Sequence, residues 1–495
     1  MIKHSEEQLD IFDFVKYGHG NAVVSAVAGS GKTTTIVEAL NYIKPDKRVL
    51  FLAFNNSIVD ELKKRITRNK TDIKTLHSLG YSIIKFNFKD IEINIDENKY
   101  KNKLNEILIE KCMERLPNKS YVKNILKLLD LGRLNFCNSK KELLNIANRH
   151  SIVTSFKIDD EFNEINIVNE LIVWSKNSLN EQNIIDYVDM IYLPNILNLK
   201  TFKYDFIIID EAQDLSVSQM MLFMKCFKQG TRFICVGDEK QTINGFAGSS
   251  VEIFNKLKYS KNTIELPLST CYRCPKNVIK LVQHIVPNIQ YYENAIDGEI
   301  VYNSSYLDLK DGDMVICRTT LPLVKLHIKL IKENITTYIK GVDIGINLLE
   351  LIDKIDDEDI SEFKIKLDNI LTNYVANNIS HDSLIPDVIN SQEYNDLIDK
   401  IDCIKYICEQ NIETKTDLIN KINNIFSDES KKGVCLSTIH KAKGLESDNV
   451  YILERNLMPS KFCKQEWEKQ QEQNLIYVAY TRAKKKLCFL DLKNC

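Results

Sequence analysis

The sequence lacks any apolar run long enough to span a membrane, although 44% of its 495 residues are hydrophobic. A spanning helix needs about 20 predominantly apolar residues, so we expect no membrane-embedded domain. The first residues, 1–7, lead into an amphipathic helix and not into the apolar core of a signal peptide. We therefore expect a soluble protein of the cytoplasm or, in a eukaryote, of the nucleus, with no membrane partner.

Neither sign of charge dominates the sequence. Its 66 Lys and Arg residues are balanced by 68 Asp and Glu residues, so the formal net charge is -2. This excludes a globally basic surface, and any nucleic-acid partner has to be held by a local groove. The length exceeds what one hydrophobic core supports and indicates roughly three or four domains.

The sequence also lacks a paired cysteine framework. Its 13 cysteines are odd in number and scattered, and most lie in apolar runs, which is typical of a reducing compartment. Cys271 and Cys274 have the spacing of metal ligands, but a zinc site needs a second close pair. Cys403 and Cys408 are the nearest such pair and lie in a different region. We expect no structural zinc.

The most specific motif is a glycine-containing loop at residues 26–33, between a strand-like segment and a helix-like one. Such a loop closes its backbone N–H groups around a polyphosphate, and the following helix adds its positive N-terminus. Lys32 is expected to reach the β and γ oxygens, and Thr33 to bind Mg²⁺. The residues expected to surround the phosphates are Ala28, Gly29, Ser30, Gly31, Lys32, Thr33 and Thr34.

Gln8 has two interpretations. It completes a capping box with Ser5 at the start of the first helix. A glutamine a short way upstream of a phosphate loop is also placed to bond the edge of adenine, and the motifs below favour that second role.

Further apolar runs at residues 49–54, 206–209 and 232–236 indicate the strands of a parallel α/β sheet. Ligands of such sheets bind at the carboxyl ends of the strands. Asp210 and Glu211 follow the second run. Magnesium-dependent phosphoryl transfer needs such an acidic pair, with Asp210 to hold the metal's shell and Glu211 to polarise the attacking water. An ordinary charged loop is the alternative. Gln241, after the third run, is placed to sense the γ-phosphate.

With these segments in order, the chain resembles the UvrD/Rep-like superfamily 1 helicases. The motifs that carry the resemblance extend over both motor lobes. They are residues 26–33 (motif I), 54–56 (Ia), 75–77 (Ib), 210–213 (II), 237–241 (III), 271–275 (IV), 437–446 (V) and 478–483 (VI).

The resemblance implies roles for individual residues. Gln8 reads adenine, Tyr272 stacks on it, and Gly444 and Glu446 meet the nucleotide, Glu446 at the ribose. Arg273 and Arg482 act as arginine fingers, which are typically worth about 10³–10⁵ in rate. The residues implied to face single-stranded DNA are Phe54, Asn56, Thr75, His77, Phe246, Thr438 and His440. Taken alone, Phe54 would be a core residue and His77 a loop histidine.

The resemblance also implies the architecture: two RecA-like P-loop lobes with parallel sheets, each carrying a mainly helical insertion, with ATP between the lobes. Lobe 1A is expected at residues 1–86 and 201–266, and lobe 2A at 267–344 and 433–495. Insertion 1B is expected at 87–200 and insertion 2B, which is short, at 345–432. No nuclease domain is expected after Arg482. In motif III, Asn244 and Ala247 stand where the family commonly has Tyr and Arg.

We therefore expect a monomeric ATP-dependent DNA helicase that uses Mg²⁺, acts on single-stranded DNA and on junctions with duplex, and moves 3′ to 5′ by resemblance. One alternative is a translocase that strips proteins from DNA and unwinds little, which shares every motor residue. A third possibility is a nucleotide-gated binding module without catalysis. The intact Lys32, Glu211, Arg273 and Arg482 argue against it.

Overall fold

The computed structural model describes residues 4–111, 119–150, 152, 163–243, 245, 251–378, 385–426 and 432–492. The chain forms two units, Met1–Val27 with Gly31–Ser269, and Ala28–Ser30 with Thr270–Cys495. Elements are numbered in chain order. Short 3₁₀ helices lie at Leu40–Tyr42, Ala212–Asp214, Glu239–Gln241, Tyr306–Asp308 and Arg455–Leu457.

The first unit is built on a six-stranded sheet whose neighbouring strands are all parallel. Its central strands are apolar and buried on both faces, as parallel sheets covered by helices require. The spatial order is β3 (Thr71–Thr75), β2 (Val49–Ala53), β6 (Tyr204–Ile209), β7 (Phe227–Gly237), β1 (Asn21–Ala26) and β8 (Thr263–Leu268).

Helices cover this sheet, and two hydrophobic cores form on its faces. The connections place the segments after β1, β2, β3, β6 and β7 at one edge, where the strands end. The helices are α1 (Glu6–Tyr17), α2 (Lys32–Ala39), α3 (Asn56–Arg65), α4 (Leu76–Asn87), α10 (Val217–Met224) and α11 (Val251–Lys258).

The segment between α4 and β6 is mainly helical and supplies most of a further hydrophobic core, which also includes Ile84 of α4. A short pair of strands, β4 (Asn94–Ile95) and β5 (Ile184–Ile185), interrupts the helices. The helices are α5 (Lys99–Glu110), α6 (Lys119–Leu134), α7 (Lys140–Arg149), α8 (Glu164–Gln182) and α9 (Tyr187–Ile196).

A buried charge network ties α5, α6 and α9 together. Asp189 is fully buried and accepts from Lys99 Nζ at 2.5 Å, Tyr100 Oη at 2.7 Å and Arg133 Nη1 at 2.9 Å. Arg133 also bonds both carboxylate oxygens of Asp186, at 3.0 and 2.7 Å. Buried charges are tolerated when they are paired and hydrogen-bonded in this way.

The second unit is built on another six-stranded parallel sheet, of order β11 (Glu299–Ser304), β16 (Ala483–Leu490), β15 (Ser447–Leu453), β12 (Met314–Cys317), β14 (Val434–Thr438) and β13 (Thr337–Lys340). Strands β9 (Thr270–Cys271) and β10 (Gln290–Tyr291) form a separate parallel pair. The helices are α12 (Lys276–Val282), α13 (Leu321–Lys332), α14 (Val342–Ile352), α15 (Ile360–Asn378), α16 (Ile385–Ile389), α17 (Gln392–Cys408), α18 (Lys415–Ile425) and α19 (Glu466–Tyr480).

Helices α14, α15, α17 and α18 share one hydrophobic core with the second sheet. Phe363 and Ile404 from the helices lie in the same buried cluster as Val315 and Leu436 from the strands. The Asp399 carboxylate of α17 also accepts the backbone N–H groups of Thr320 and Leu321, at 2.8 and 3.1 Å, where α13 begins. These helices are therefore part of the second unit's core and not a separately packed layer.

The predicted α/β fold with parallel sheets is confirmed. The domain bounds remain a prediction. Pro267, where the second lobe was expected to begin, pairs with Ser25 inside the first sheet, because β8 runs on to Leu268. In the part of the chain that the structure describes, no helix is both long and apolar enough to cross a membrane.

Candidate nucleotide and DNA site

The phosphate loop joins β1 to α2, as predicted from its glycines. Gly29 and Gly31 have φ of 68° and 77°, in the left-handed region that residues with a Cβ rarely adopt. No side chain of the described residues caps the start of α2. The buried hydroxyl of Ser30 likewise has no hydrogen-bond partner among them. Unused donors at a helix N-terminus suit an anion such as a phosphate.

Lys32 lies at the first position of α2, with Nζ 3.3 Å from Glu211 Oε1. Burial alone would lower the pKa of this ammonium group. The charges of Glu211, Asp238 and Asp210 outweigh burial and raise the pKa above its ordinary value. Lys32 is therefore a fixed positive charge at the carboxyl edge of the first sheet.

Asp210 and Glu211 follow β6 directly. Asp210 Oδ2 accepts from Thr33 Oγ1 at 2.6 Å, and its Oδ1 accepts from the backbone of Glu211 at 2.9 Å. Burial, together with the Glu211 charge, raises the pKa of Asp210 to about 6 against the opposing effects of Lys32 and Thr33. The two adjacent oxygens of Thr33 and Asp210 fit Mg²⁺, which prefers oxygen ligands and takes few from protein.

Gln213 connects the acidic pair to the end of β7, a role that sequence reasoning missed. Its Nε2 donates to Glu211 Oε2 at 2.5 Å, and its Oε1 accepts from the backbone of Asp238 at 3.1 Å. Gln241, the expected γ-phosphate sensor, is buried and donates to Asp238 Oδ2 at 2.7 Å. The sequence signal that could have indicated this role is the position of Gln213, two residues after Glu211 in a turn.

Gln8 forms the capping box of α1 and also reaches toward the phosphate loop. Its Oε1 accepts from the backbone of Ser5 at 3.0 Å, while its Nε2 donates to Thr35 Oγ1 at 3.0 Å. A Cβ on Gly31 would lie 4.0 Å from the same Nε2. The capping interpretation is confirmed, and the adenine role remains a prediction. Thr34 is exposed and accepts from Arg65 at 3.4 Å.

Two of the residues expected at the nucleotide, Arg273 and Glu446, contact each other within the second unit. Arg273 Nε lies 2.5 Å from Glu446 Oε2, and Lys484 Nζ lies 2.5 Å from Glu446 Oε1. Burial opposes ionisation of Glu446, but Lys484 and Arg273 hold its pKa below the ordinary value. The Tyr272 ring is 40% exposed and packs against Tyr292 with centroids 5.1 Å apart.

Arg482, the other expected arginine finger, is buried, with only 1% of its surface exposed. Its guanidinium donates to the carbonyls of Val478 at 2.9 Å and Leu445 at 3.2 Å. Sequence reasoning did not foresee this burial. Gly444, expected near the nucleotide, has φ of 86° and open space where a side chain would lie.

Of the residues expected to face DNA, three in the first unit are exposed where strands β2 and β3 end. The Phe54 ring is 53% exposed, so it is not a core residue; Asn56 and His77 are exposed beside these strand ends. Thr75 is buried instead, and its hydroxyl caps α4 by accepting from the backbone of Ser78 at 3.1 Å.

In the second unit, Thr438 ends β14 and accepts from the backbone of Lys441 at 3.4 Å. His440 is half-buried, and burial together with the positive charges of Arg318, Lys443 and Lys441 lowers its pKa to about 3. A neutral imidazole can stack or accept a hydrogen bond but does not attract a phosphate by charge. Phe246, with Asn244 and Ala247, lies outside the described residues.

The Cys271–Cys274 pair is predicted to bind no metal. Cys403 and Cys408, the nearest second pair in sequence, lie in the hydrophobic core around α17. No group of three or more metal-binding side chains occurs among the described residues. Elemental analysis of protein purified without chelators should find no zinc, and stoichiometric zinc would contradict the prediction.

Comparison with known proteins agrees with this arrangement. Residues 7–262, more than half of the chain, match the UvrD/REP helicase N-terminal domain, and residues 387–494 match the UvrD-like helicase C-terminal domain.

Curated relatives include an ATP-dependent DNA helicase Rep of Buchnera aphidicola, 27% identical over 59% of this chain and 46% of that protein. A probable DNA helicase II homolog of Mycoplasma genitalium is 26% identical over 58% of this chain and 43% of that protein. The ATP-dependent DNA helicase PcrA of Bacillus subtilis is 22% identical over 97% of this chain and 82% of that protein. The chain thus spans about half the length of the first of these relatives. Because the family model matches more than half of its residues, the chain belongs to the UvrD/Rep-like helicase family.

Proposed function

We propose that this chain is an ATP-dependent DNA helicase that moves 3′ to 5′ along single-stranded DNA and couples ATP hydrolysis to duplex unwinding. The observation that carries the proposal is the contact of Lys32 with Glu211 and of Thr33 with Asp210 at the carboxyl edge of the first sheet. The names of the relatives, ATP-dependent DNA helicase Rep and PcrA, support it.

In this proposal the residues of the first unit divide the work of hydrolysis. Lys32 binds the β and γ oxygens, and Glu211 orients the attacking water and accepts its proton. The bond from Gln213 to the second Glu211 oxygen holds the carboxylate in place for this role. Thr33 and Asp210 would hold Mg²⁺, which supplies positive charge to the phosphates. Gln8 reads the adenine edge.

Residues of the second unit serve the same nucleotide by resemblance. Arg273 and Arg482 stabilise charge on the transferred phosphoryl group, Tyr272 stacks on adenine, and Glu446 meets the ribose. Arg273 has to exchange its bond to Glu446 for one to phosphate. While Arg273 is paired with Glu446, it is not available to the phosphates, so turnover should be slow without DNA. We therefore expect single-stranded DNA to stimulate ATP turnover.

The proposed DNA contacts include Phe54, because an exposed aromatic ring at a strand end is available for base stacking. Stacking on an aromatic side chain is worth about 1–3 kcal/mol per base. Phe54→Ala should therefore weaken single-strand affinity by about 5- to 150-fold. DNA-free ATP turnover and melting temperature should hardly change, because the ring is half-exposed. Fluorescence anisotropy with a labelled oligonucleotide measures the affinity.

Tyr259→Ala is the matched control. Tyr259 is 83% exposed, but it follows α11 and precedes β8, so it lies at the opposite edge of the first sheet. Tyr259→Ala should therefore leave the affinity for single-stranded DNA unchanged. A large fall in melting temperature for Phe54→Ala, without a selective loss of DNA binding, would show that Phe54 packs and does not stack.

The proposed function is tested by ATP turnover and strand displacement on 3′-tailed, 5′-tailed and blunt duplexes. We expect single-stranded DNA to stimulate turnover and the 3′-tailed duplex to be displaced fastest. Preference for the 5′-tailed duplex would overturn the polarity. Stimulated turnover without displacement of any duplex would overturn the helicase assignment while leaving an ATP-driven translocase.

A further inference from the structure

Cys271 and Cys274 form a close dithiol in the second unit that the proposed motor chemistry does not use. Cys271 ends β9, and the chain bends over the next three residues. The backbone N–H of Cys274 donates to Cys271 Sγ at 3.4 Å. Cys274 Sγ lies 3.5 Å from the carbonyl oxygen of Thr481, and both cysteines are buried. The bend therefore folds the backbone of Cys274 back onto the sulfur of Cys271.

The two thiols differ in acidity. The hydrogen bond from the Cys274 thiol, helped by backbone N–H groups and by the Arg273 charge, lowers the pKa of Cys271 to about 7 despite burial. The same hydrogen bond, with burial, raises the pKa of Cys274. Other buried cysteines behave differently, since burial raises the pKa of Cys317 to about 12. A thiolate beside a protonated thiol is the arrangement of an attacking and a resolving cysteine.

We propose that Cys271 and Cys274 are a reversible oxidation site, at which hydrogen peroxide converts the dithiol into an intramolecular disulfide that lowers ATP turnover. The Cys271 thiolate attacks peroxide: an S–O bond forms, the O–O bond breaks and hydroxide leaves. The Cys274 sulfur then attacks Cys271: the S–S bond forms, the S–O bond breaks, and the Cys274 proton leaves with the departing hydroxide as water. The dithiol loses two electrons and peroxide gains them.

Tyr272 and Arg273 lie between the two cysteines in sequence, so a change in the Cys271–Cys274 bend also moves these two proposed nucleotide contacts. The Tyr272 N–H donates to the carbonyl of Gly29 at 2.9 Å. A Cβ on Gly29 would lie 2.9 Å from Cys271 Sγ and 2.6 Å from Arg273 Cβ, so the loop leaves the bend no free space. A disulfide ends the bond from the Cys274 N–H to the Cys271 thiolate and pulls the bend inward. Tyr272 and Arg273 then shift together. This effect on turnover rests on the proposed function; formation of the disulfide does not.

The test treats the reduced, purified chain with hydrogen peroxide, blocks the remaining thiols by alkylation and identifies disulfide-linked peptides by mass spectrometry. We expect a Cys271–Cys274 link and at least a tenfold fall in DNA-stimulated ATP turnover, reversed by dithiothreitol, since an arginine finger is worth about 10³–10⁵ in rate. Cys274→Ser should retain turnover under reducing conditions and lose the reversible inhibition. Cys463→Ser, which removes a half-exposed thiol, is the matched control and should respond as the unmutated chain does.

Two free thiols at positions 271 and 274 after peroxide treatment would overturn the proposal. So would an equal, reversible inhibition in Cys274→Ser. A disulfide that forms in a chain without measurable ATP turnover would instead uphold the oxidation site and refute the proposed function. The mass measurement on the unmutated chain does not depend on the folding of any variant.

Discussion

Glu211→Gln should lower ATP turnover by about 10²–10⁴-fold, the usual contribution of a general base, while ATP affinity stays close to that of the unmutated chain. The amide keeps the size of the side chain and its contact with Gln213, but it cannot accept the proton of the attacking water. Lys32 also retains Asp210 and Asp238 as neighbouring charges. Turnover is measured by phosphate release and affinity by binding of a fluorescent nucleotide.

Lys32→Ala is the contrasting variant and should lose both properties. It removes the positive charge that opposes the carboxylates of Asp210 and Glu211, so these carboxylates would repel each other and the phosphates. Nucleotide binding should fall together with turnover. If Glu211→Gln instead turns over ATP at nearly the unmutated rate, the wrong carboxylate has been named.

Asp189→Asn should cost about 3–5 kcal/mol of local stability, because it leaves the buried charges of Lys99 and Arg133 facing a neutral amide. Both cations contact Asp189 within 3 Å, and Arg133 and Asp189 are fully buried. Since the chain has several cores, a single global unfolding energy is not well defined. Amide hydrogen exchange resolves the effect by segment, and we expect faster exchange in α5, α6 and α9.

Asp130→Asn is the matched control, because Asp130 binds the same guanidinium. Its carboxylate lies 2.7 Å from Arg133 Nη2, but its side chain is 52% exposed. Water compensates a lost exposed pair, so this change should cost less than about 1 kcal/mol. Equal exchange rates in the two variants would refute a special role for the buried carboxylate.

The arrangement at the carboxyl edge of the first sheet could be predicted from sequence because each part has a local signal. A buried strand is an apolar run, and a parallel sheet gathers the residues that follow such runs at one edge. The proximity of Thr33 to Asp210, 177 positions further along the chain, follows from those two rules. The functional roles of the individual residues remain predictions.

Contacts between helices could not be predicted in the same way. Nothing in the helical periodicity of residues 87–200 indicates that Arg133 of α6 meets Asp186 and Asp189 of α9, because ion pairs carry no spacing rule across separate elements. The burial of Arg482 is another example. An arginine that follows α19 and precedes three lysines looks exposed in sequence, yet nearby carbonyls of its own unit accept its hydrogen bonds.

The shared core of α14, α15, α17 and α18 with the second sheet determines which parts of this chain are modular. Residues 87–200 supply most of a hydrophobic cluster separate from the sheet, and α9 joins this segment to the first sheet through Ile191. The helices of residues 345–432 have no such independence, because Phe363 and Ile404 pack in the same cluster as Val315 and Leu436. Excising them would expose one face of the second sheet to water, so sequence change there is coupled to change in the strands beneath.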